Sequence, residues 1–456
     1  MRLTLPAFLL GALSSLLTTN AHAQQRDASL VDPRNIGRAG TSTVSGDSGV
    51  TLLLNPAGMV RRGQSRFIVG TSISSNHTSF LASDHPESPR IENHTAPTNL
   101  PMLAYHHGGG AGRWVLGALL WGGTSEVSLP APSFGQPATD IERLFPHRYG
   151  GTAYQSQWRQ LALGGAIRLG DSVGLGLTMG LRDVEVSEQR RIWAGFAGRD
   201  PLLSADRDLR LTLQGRDRLS PSAVLGVLVA PPELPLEFAV AVELQRGARL
   251  QGEFPTLRAT SSSEFPQVVA NAATARLNRP NTATVRAGVR YLGRRSFVEA
   301  GVDLTRVAKH EGETWFVRGL GVVDQSGVSG ALTEIPALGR RRSSIALRGA
   351  MDYEAVLGFL WLTLGYAWQS PSTAQNWRMP ANARLGGHRL ATGILAVHEH
   401  YSLTMGYSRR LSRSRTVLRG NAAPVINPFG AKTAASNAGA YTSSSDQLGI
   451  TVEISW

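Results

Sequence analysis

The segment QLGITVEISW, residues 447–456, puts Leu448, Ile450, Val452, Ile454 and Trp456 on one side of an extended chain. Gln447, Gly449, Thr451, Glu453 and Ser455 fall on the other side, because successive side chains of a strand point to opposite faces. Strict period two is the mark of a strand with one apolar and one polar face. The pattern recurs upstream. In 401–410, Tyr401, Leu403, Met405 and Tyr407 oppose Ser402, Thr404, Ser408 and Arg410. In 342–354, Ile345, Leu347, Met351 and Tyr353 oppose Arg342, Arg348, Asp352 and Glu354. In 236–245, Leu236, Phe238, Val240, Val242 and Leu244 oppose Glu237, Glu243 and Gln245. In 284–291, Val285, Ala287, Val289 and Tyr291 oppose Arg286 and Arg290. Aliphatics on one face and charges on the other suit a membrane barrel with a polar interior, since a charge facing lipid costs about 2–4 kcal/mol.

The connections between such runs decide the topology. Candidate strands are 63–76, 98–108, 112–122, 156–169, 172–188, 219–230, 234–250, 283–293, 296–308, 342–355, 358–370, 387–398, 401–412 and 446–456. That is about fourteen, and 205–217 is a candidate extension of the sixth. Gaps of two or three residues alternate with the long gaps 77–97, 123–155, 189–218, 251–282, 309–341, 371–386 and 413–445. Short periplasmic turns alternating with long outer loops predict an all-β fold, a transmembrane antiparallel β-barrel, with its C-terminus periplasmic. Residues 358–370 are apolar on both faces, which predicts packing against something inside the lumen. Tyr105, Trp114, Trp121, Trp158, Tyr291, Trp361, Tyr366 and Trp368 lie near strand ends, as aromatic girdles would.

Residues 1–23 carry Arg2, an apolar run from Leu3 to Leu17, and Ala21-His22-Ala23, the order of a signal peptide. Beyond them no stretch of about eighteen apolar residues occurs, which excludes a helical membrane protein. The chain has no cysteine, so disulfides, thiolate metal sites and cysteine nucleophiles are excluded together. Its formal charge of +13 comes almost wholly from arginine, Lys309 and Lys432 being the only lysines. Those arginines are scattered over strands and loops, which argues against nucleic acid as a partner. Outer-membrane lipid and anionic lipopolysaccharide are the more natural partners of such a charge. Residues 24–62, rich in Gly, Ser, Thr, Asn and Asp, do not read as strands. They must hang in the periplasm or fold up into the lumen, ahead of a barrel over 63–456.

This segment carries Gly37-Arg38-Ala39-Gly40, Asp47 and Asn55-Pro56-Ala57-Gly58. Two further stretches are LTLGYAWQSPS (362–372) with MPANARLGGHRLATGI (379–394), and NAGAYTSSSDQLGITVEISW (437–456). Together and in this order they resemble the FadL/TodX family of outer-membrane transporters of long-chain fatty acids and hydrocarbons. The terminal Trp456 likewise resembles the signal that such barrels present to the barrel-insertion machinery. The resemblance implies a monomeric barrel of fourteen strands plugged by its N-terminal segment. It also implies passive uptake of a hydrophobic small-molecule ligand, with hatch movement beside a kinked strand as the gate. Asn55, Pro56, Ala57 and Gly58 are the expected gating element, with Pro56 rigid and Gly58 allowing an abrupt exit. Gly117, Gly122 and Gly123 are the candidate strand kink, or else only relieve packing against the hatch. Residues 141–149 and 265–277 come nearest to a greasy helical loop for first capture of ligand.

No catalytic signature is present: HExxH, Gly-x-Ser-x-Gly and Walker patterns are absent. His106-His107 would point to opposite faces, and His398-Glu399-His400 falls in a tight turn, so neither is read as a metal site. Arg340-Arg341-Arg342 reads as a solvated rim, and Glu299, Asp303, Arg286 and Arg290 as lumenal charges that pair with one another or the plug. No enzyme and no cofactor is therefore expected. The alternatives are a general diffusion porin, a structural outer-membrane barrel, and a barrel-borne lipid hydrolase.

Overall fold

The computed structural model describes residues 30–456 apart from 62, 84–86, 94, 96, 110–111, 197–204, 254, 260–265, 309–312, 339, 383 and 431–436. The expected signal peptide lies outside the described residues. Fourteen antiparallel strands form a closed barrel. They are β1 Arg66–Ala82, β2 Thr98–Gly109, β3 Trp114–Ser128, β4 Ala153–Leu169, β5 Val173–Trp193, β6 Asp208–Val229 and β7 Leu236–Gln245. The second half comprises β8 Thr282–Leu292, β9 Ser296–Val307, β10 Ser344–Val356, β11 Leu360–Gln369, β12 Gly387–His398, β13 Tyr401–Leu411 and β14 Gly439–Ser455. Each strand pairs with its sequence neighbours, and β1 closes on β14 from Arg66↔Ser455 to Ala82↔Gly439. Closure leaves no strand edge and satisfies the backbone within the wall, the condition for crossing lipid.

Burial along the strands is the inverse of that of a water-soluble sheet. On β14, Leu448 is 50% exposed and Ile450 43%, whereas Gln447 is 4% and Glu453 9% exposed. The apolar face looks outward and the polar face looks into the lumen. All fourteen expected strands are present, with three changes. β6 does begin upstream, at Asp208; β1, β3, β4, β5 and β14 are longer than expected; and β7 stops at Gln245, with a separate strand at Arg249–Glu253. Residues 265–277 are not a capture helix. Gln267–Asn278 is a strand paired with Thr314–Val323, and its own alternation of buried Ala273, Ala275 and Leu277 with exposed Thr274 and Arg276 explains why. Within 141–149, by contrast, helix ends where α3 Ala138–Leu144 ends.

Three aromatics depart from the girdle expectation, among them Trp361, which shares the inward face of Thr363 and stacks on Phe297 with ring centroids 5.1 Å apart. Trp121 and Trp158 are buried in the lumen, edge to face with ring centroids 5.5 Å apart. Trp158 shares the inward parity of Tyr154, Ser156 and Gln160, and proximity to a strand end did not reveal that. Tyr105, Trp114, Tyr291 and Tyr366 do face outward.

Candidate functional site

Inside the barrel, residues 30–61 form two short helices, α1 Pro33–Gly37 and α2 Thr51–Leu54, and a 3-10 turn at Pro56–Arg61. Asp32 caps α1 by accepting from the Arg34 N–H at 2.8 Å, and Pro33 supplies the fixed φ of a first helical position. The same carboxylate accepts from Ser48 Oγ at 2.9 Å and Gly49 N–H at 2.6 Å, tying the start of α1 to the approach to α2. Burial raises the Asp32 carboxyl above its ordinary range, against the lowering effect of these donors. So short a segment cannot satisfy its own backbone, and the wall does it instead. Arg348 donates to Ala39 O at 3.0 Å, Arg66 to Gly46 O at 3.1 Å, Arg286 to Leu53 O at 3.4 Å and Arg168 to Val60 O at 2.6 Å. Glu299 Oε1 accepts from Val44 N–H at 2.9 Å.

The central fastening is a charge cluster. Arg38 donates to both carboxylate oxygens of Asp47, at 2.7 and 3.0 Å, and to both of Asp352 on β10, its Nε reaching Oδ1 at 3.3 Å. Arg34 adds a contact to Asp47 at 3.0 Å, and Thr363 Oγ donates to Asp352 at 2.6 Å. Burial works against the Arg38 charge, but Asp352 and Asp47 overcome it and hold the guanidinium well above its ordinary range. Glycines in the wall let the hatch backbone approach. A Cβ at Gly365 would lie 2.4 Å from Arg38 C, one at Gly176 2.3 Å from Ala57 N, and one at Gly226 1.9 Å from Asn55 Oδ1. Packing of Gly365 against Arg38 and Ala39 accounts for the doubly apolar β11. The lumenal charges pair as expected: Arg286 with Glu243, and Arg348 with Asp303 at 2.9 Å.

Asn55 ends α2, its N–H donating to Thr51 O at 3.0 Å. Its Nδ2 donates to Thr43 O at 2.9 Å and to Val227 O of β6 at 3.4 Å, while Oδ1 accepts from Ala57 N–H at 3.2 Å. Pro56 opens the 3-10 turn, and Ala57 lies against β5. Gly58 is not the abrupt exit expected of it: it sits inside the 3-10 turn, where its missing side chain admits Gly46, whose own Cβ would lie 2.2 Å from Gly58 O. On β3, a Cβ at Gly117 would meet His106, Leu52 and Met59 at 3.1–3.2 Å, so that glycine accommodates the hatch. Gly122 and Gly123 lie just past the last β2–β3 pair, Met102↔Trp121. Beyond it β2 pairs only with β1 and β3 only with β4, and Trp121 through Ser125 are all buried, so alternation is lost. Leu100 fills this seam, 2.1 Å from where a Gly123 Cβ would be.

Between the hatch and the outer loops lies a cavity of about 180 Å³ with Leu53 at its floor and Trp121 and Trp158 on one wall. Arg182, Arg341, Arg342 and Arg384 converge on it from β5 and two loops. Arg341 pairs with Glu313 at 2.6 Å. Among the described residues, neither Arg342 nor Arg384 makes an ion pair within 4 Å, and Glu313 acts on Arg384 only at longer range. Burial, and then the neighbouring Arg341 and Arg279, lower Arg384 to about 10, against the raising effect of Tyr154. The run Arg340-Arg341-Arg342 is therefore no mere rim: Arg340 lies 4.0 Å over the Trp377 ring, and the other two line the cavity. Sequence reasoning missed this site because its residues are scattered from 53 to 384, and only inward parity on β3, β4 and β5 hinted at it.

No protein-family model and no curated protein matches the sequence. Solved structures do share the fold. A FadL homologue from Pseudomonas aeruginosa superposes with a TM-score of 0.70 at 12% identity, over 93% of this chain and 98% of that one. The toluene transporter TodX of P. putida gives 0.62 at 12% identity, over 92% and 97%. The toluene transporter TbuX of Ralstonia pickettii gives 0.60 at 13% identity, over 92% and 97%. The fold is thus that of the FadL/TodX transporters, hatch included.

Proposed function

We propose that this chain is an outer-membrane channel for the passive uptake of hydrophobic compounds, gated by residues 30–61, and that its ligand is an amphiphile with an anionic head. The observation that carries the reading is the lumenal cavity: tryptophans and Leu53 on one side, and on the other Arg342 and Arg384, which make no close ion pair among the described residues, whereas its carboxylates Glu243 and Asp303 are already paired with Arg286 and Arg348. An apolar body needs a concave apolar wall, and a carboxylate head needs an uncompensated cation. A neutral aromatic hydrocarbon uses only the first of these. Long-chain carboxylates are therefore favoured over toluene-like compounds, although two of the similar solved proteins, TodX and TbuX, are toluene transporters.

The gate in this reading is the Asn55-Pro56-Ala57-Gly58 element together with the Arg38 cluster, and the ligand leaves through the seam at Gly122-Gly123. Residues 1–23 act as an export signal, Trp456 is read by the insertion machinery, and the mature chain is a monomer with a periplasmic C-terminus. A general porin is the weaker alternative, since the hatch occupies the lumen. Large steady conductance of the wild type in a planar bilayer would favour it.

The test is binding of labelled oleate and toluene to the purified barrel, comparing wild type, Arg342→Gln/Arg384→Gln and Asn55→Ala/Pro56→Ala. Loss of a charge-assisted contact worth about 1.5–3 kcal/mol predicts roughly ten- to hundredfold weaker oleate binding in the arginine variant, with no effect on any toluene binding. The hatch variant is expected to alter uptake. If oleate does not bind the wild type, or the arginine variant binds it equally well, the reading is wrong.

A further inference from the structure

A second cluster of arginines lies on the outside of the wall. Beyond β7 and β8 the barrel is lengthened by the strands Arg249–Glu253, Gln267–Asn278, Thr314–Val323 and Glu334–Pro336. Their register lines up Gln251 with Arg276, Arg276 with Phe316, and Phe316 with Glu334. The next rows place Arg249 beside Asn278 and Arg318 beside Thr274. Opposite residues of an antiparallel ladder share a face. The alternate positions Leu250, Ala275, Leu277, Trp315, Val317 and Ile335 are all buried, so these arginines and Phe316 stand on the outward face, where all are exposed. A cleft of about 1280 Å³ opens there, with Arg246, Arg249, Arg276 and Arg318 on its lining and Glu334 as its carboxylate. Among the described residues none of the four arginines makes an ion pair.

Height along the wall fits one kind of partner. On β7 the exposed residues Phe238, Val240 and Leu244 face lipid, and Arg246 follows on the same side. Two residues along a strand is about 7 Å, so the cleft begins where the apolar belt ends, at the level of headgroups. On nearby strands a basic residue likewise follows the last exposed leucine toward the loops: Arg218 after Leu219 on β6, and Arg306 after Leu304 on β9. This is the loop end of the barrel, remote from the short turns at Pro231–Glu233 and Arg294-Arg295. Guanidinium groups match phosphate oxygens in bidentate fashion, and exposed Phe316 among them offers an apolar surface to a sugar or acyl chain. A soluble anion would have no need of a site at the edge of the lipid belt.

We propose that this cleft binds the phosphorylated headgroup of an outer-leaflet glycolipid. The proposal rests on the outer-membrane placement above but not on the transport reading, because the cleft and the lumenal cavity use different arginines.

The test uses the full chain in phospholipid nanodiscs, with bisphosphorylated lipid A and its enzymatically dephosphorylated form as probes. Wild type is expected to bind the phosphorylated form at least tenfold more tightly. Arg246→Gln/Arg276→Gln/Arg318→Gln should abolish that preference while leaving the barrel's heat-modifiable gel mobility and its oleate binding unchanged. Equal binding of the two lipids, or a preference that survives the triple substitution, overturns the proposal. So does complete displacement of lipid A by millimolar inorganic phosphate, which would assign the cleft to a free anion. Membrane fractionation checks the outer-membrane placement separately.

Discussion

Replacing Arg38 with Met should release the hatch without unfolding the barrel. Arg38 is 1% exposed and donates to both Asp47 and Asp352, so the substitution leaves two nearly buried carboxylates facing each other. Asp47 keeps its contact to Arg34 at 3.0 Å, so the charge left without a close partner is Asp352, and breaking a buried ion pair in this way costs about 3–5 kcal/mol. The barrel wall does not depend on that contact: its strands are joined by continuous ladders from β1 round to β14. The loss should therefore fall on hatch docking alone. At about 1.4 kcal/mol per decade it amounts to roughly two to three and a half orders of magnitude in the docking equilibrium. Hydrogen exchange read by mass spectrometry should lose protection over 32–60 by about that factor, while β1 to β14 keep theirs. A planar bilayer should show conductance events that the wild type lacks. Arg38→Met/Asp352→Asn, which neutralises the stranded carboxylate and leaves the Arg34–Asp47 pair in place, should recover much of the protection. Protection within twofold of wild type in Arg38→Met, or a double variant worse than the single, would refute the clamp.

Gly176→Ala should displace the hatch, because its Cβ would lie 2.3 Å from Ala57 N, a backbone atom that cannot step aside; Gly349→Ala, whose nearest neighbour would be 3.9 Å away, should be silent in the same exchange measurement. The outer loop 129–152 should loosen in acid. His147 is fully buried there, its Nε2–H donating to Pro130 O at 2.8 Å, and burial lowers its pKa from 6.5 to about 4. The undocked loop therefore binds the proton more readily, so docking is at full strength above pH 6.5 and weakens as the pH falls toward 4, by about 3 kcal/mol in all. Exchange rates in 129–152, corrected for intrinsic pH dependence, should show this between pH 7.5 and 4.5 and should not in His147→Gln; a dependence that survives the substitution assigns it to another group.

Period two in QLGITVEISW and its counterparts was enough to determine strand number, facing and closure, because a membrane wall imposes one rule on every residue: apolar outward, polar inward. Alternation of short and long gaps likewise placed the long loops at one end of the barrel, and the Gly- and Ser-rich segment before the first strand marked itself as something other than wall. That rule is local, so one sequence carries it. The contacts of the hatch and the cavity obey no local rule. Arg38 meets Asp352 across 314 positions, and Trp121, Trp158, Arg342 and Arg384 converge only because the barrel is closed. Gly58 looked like a turn and proved to be a contact, since whether a missing Cβ serves φ or space depends on what stands opposite. The inward wall glycines at 176, 226 and 365 were visible as letters, but only the folded hatch reveals what they make room for.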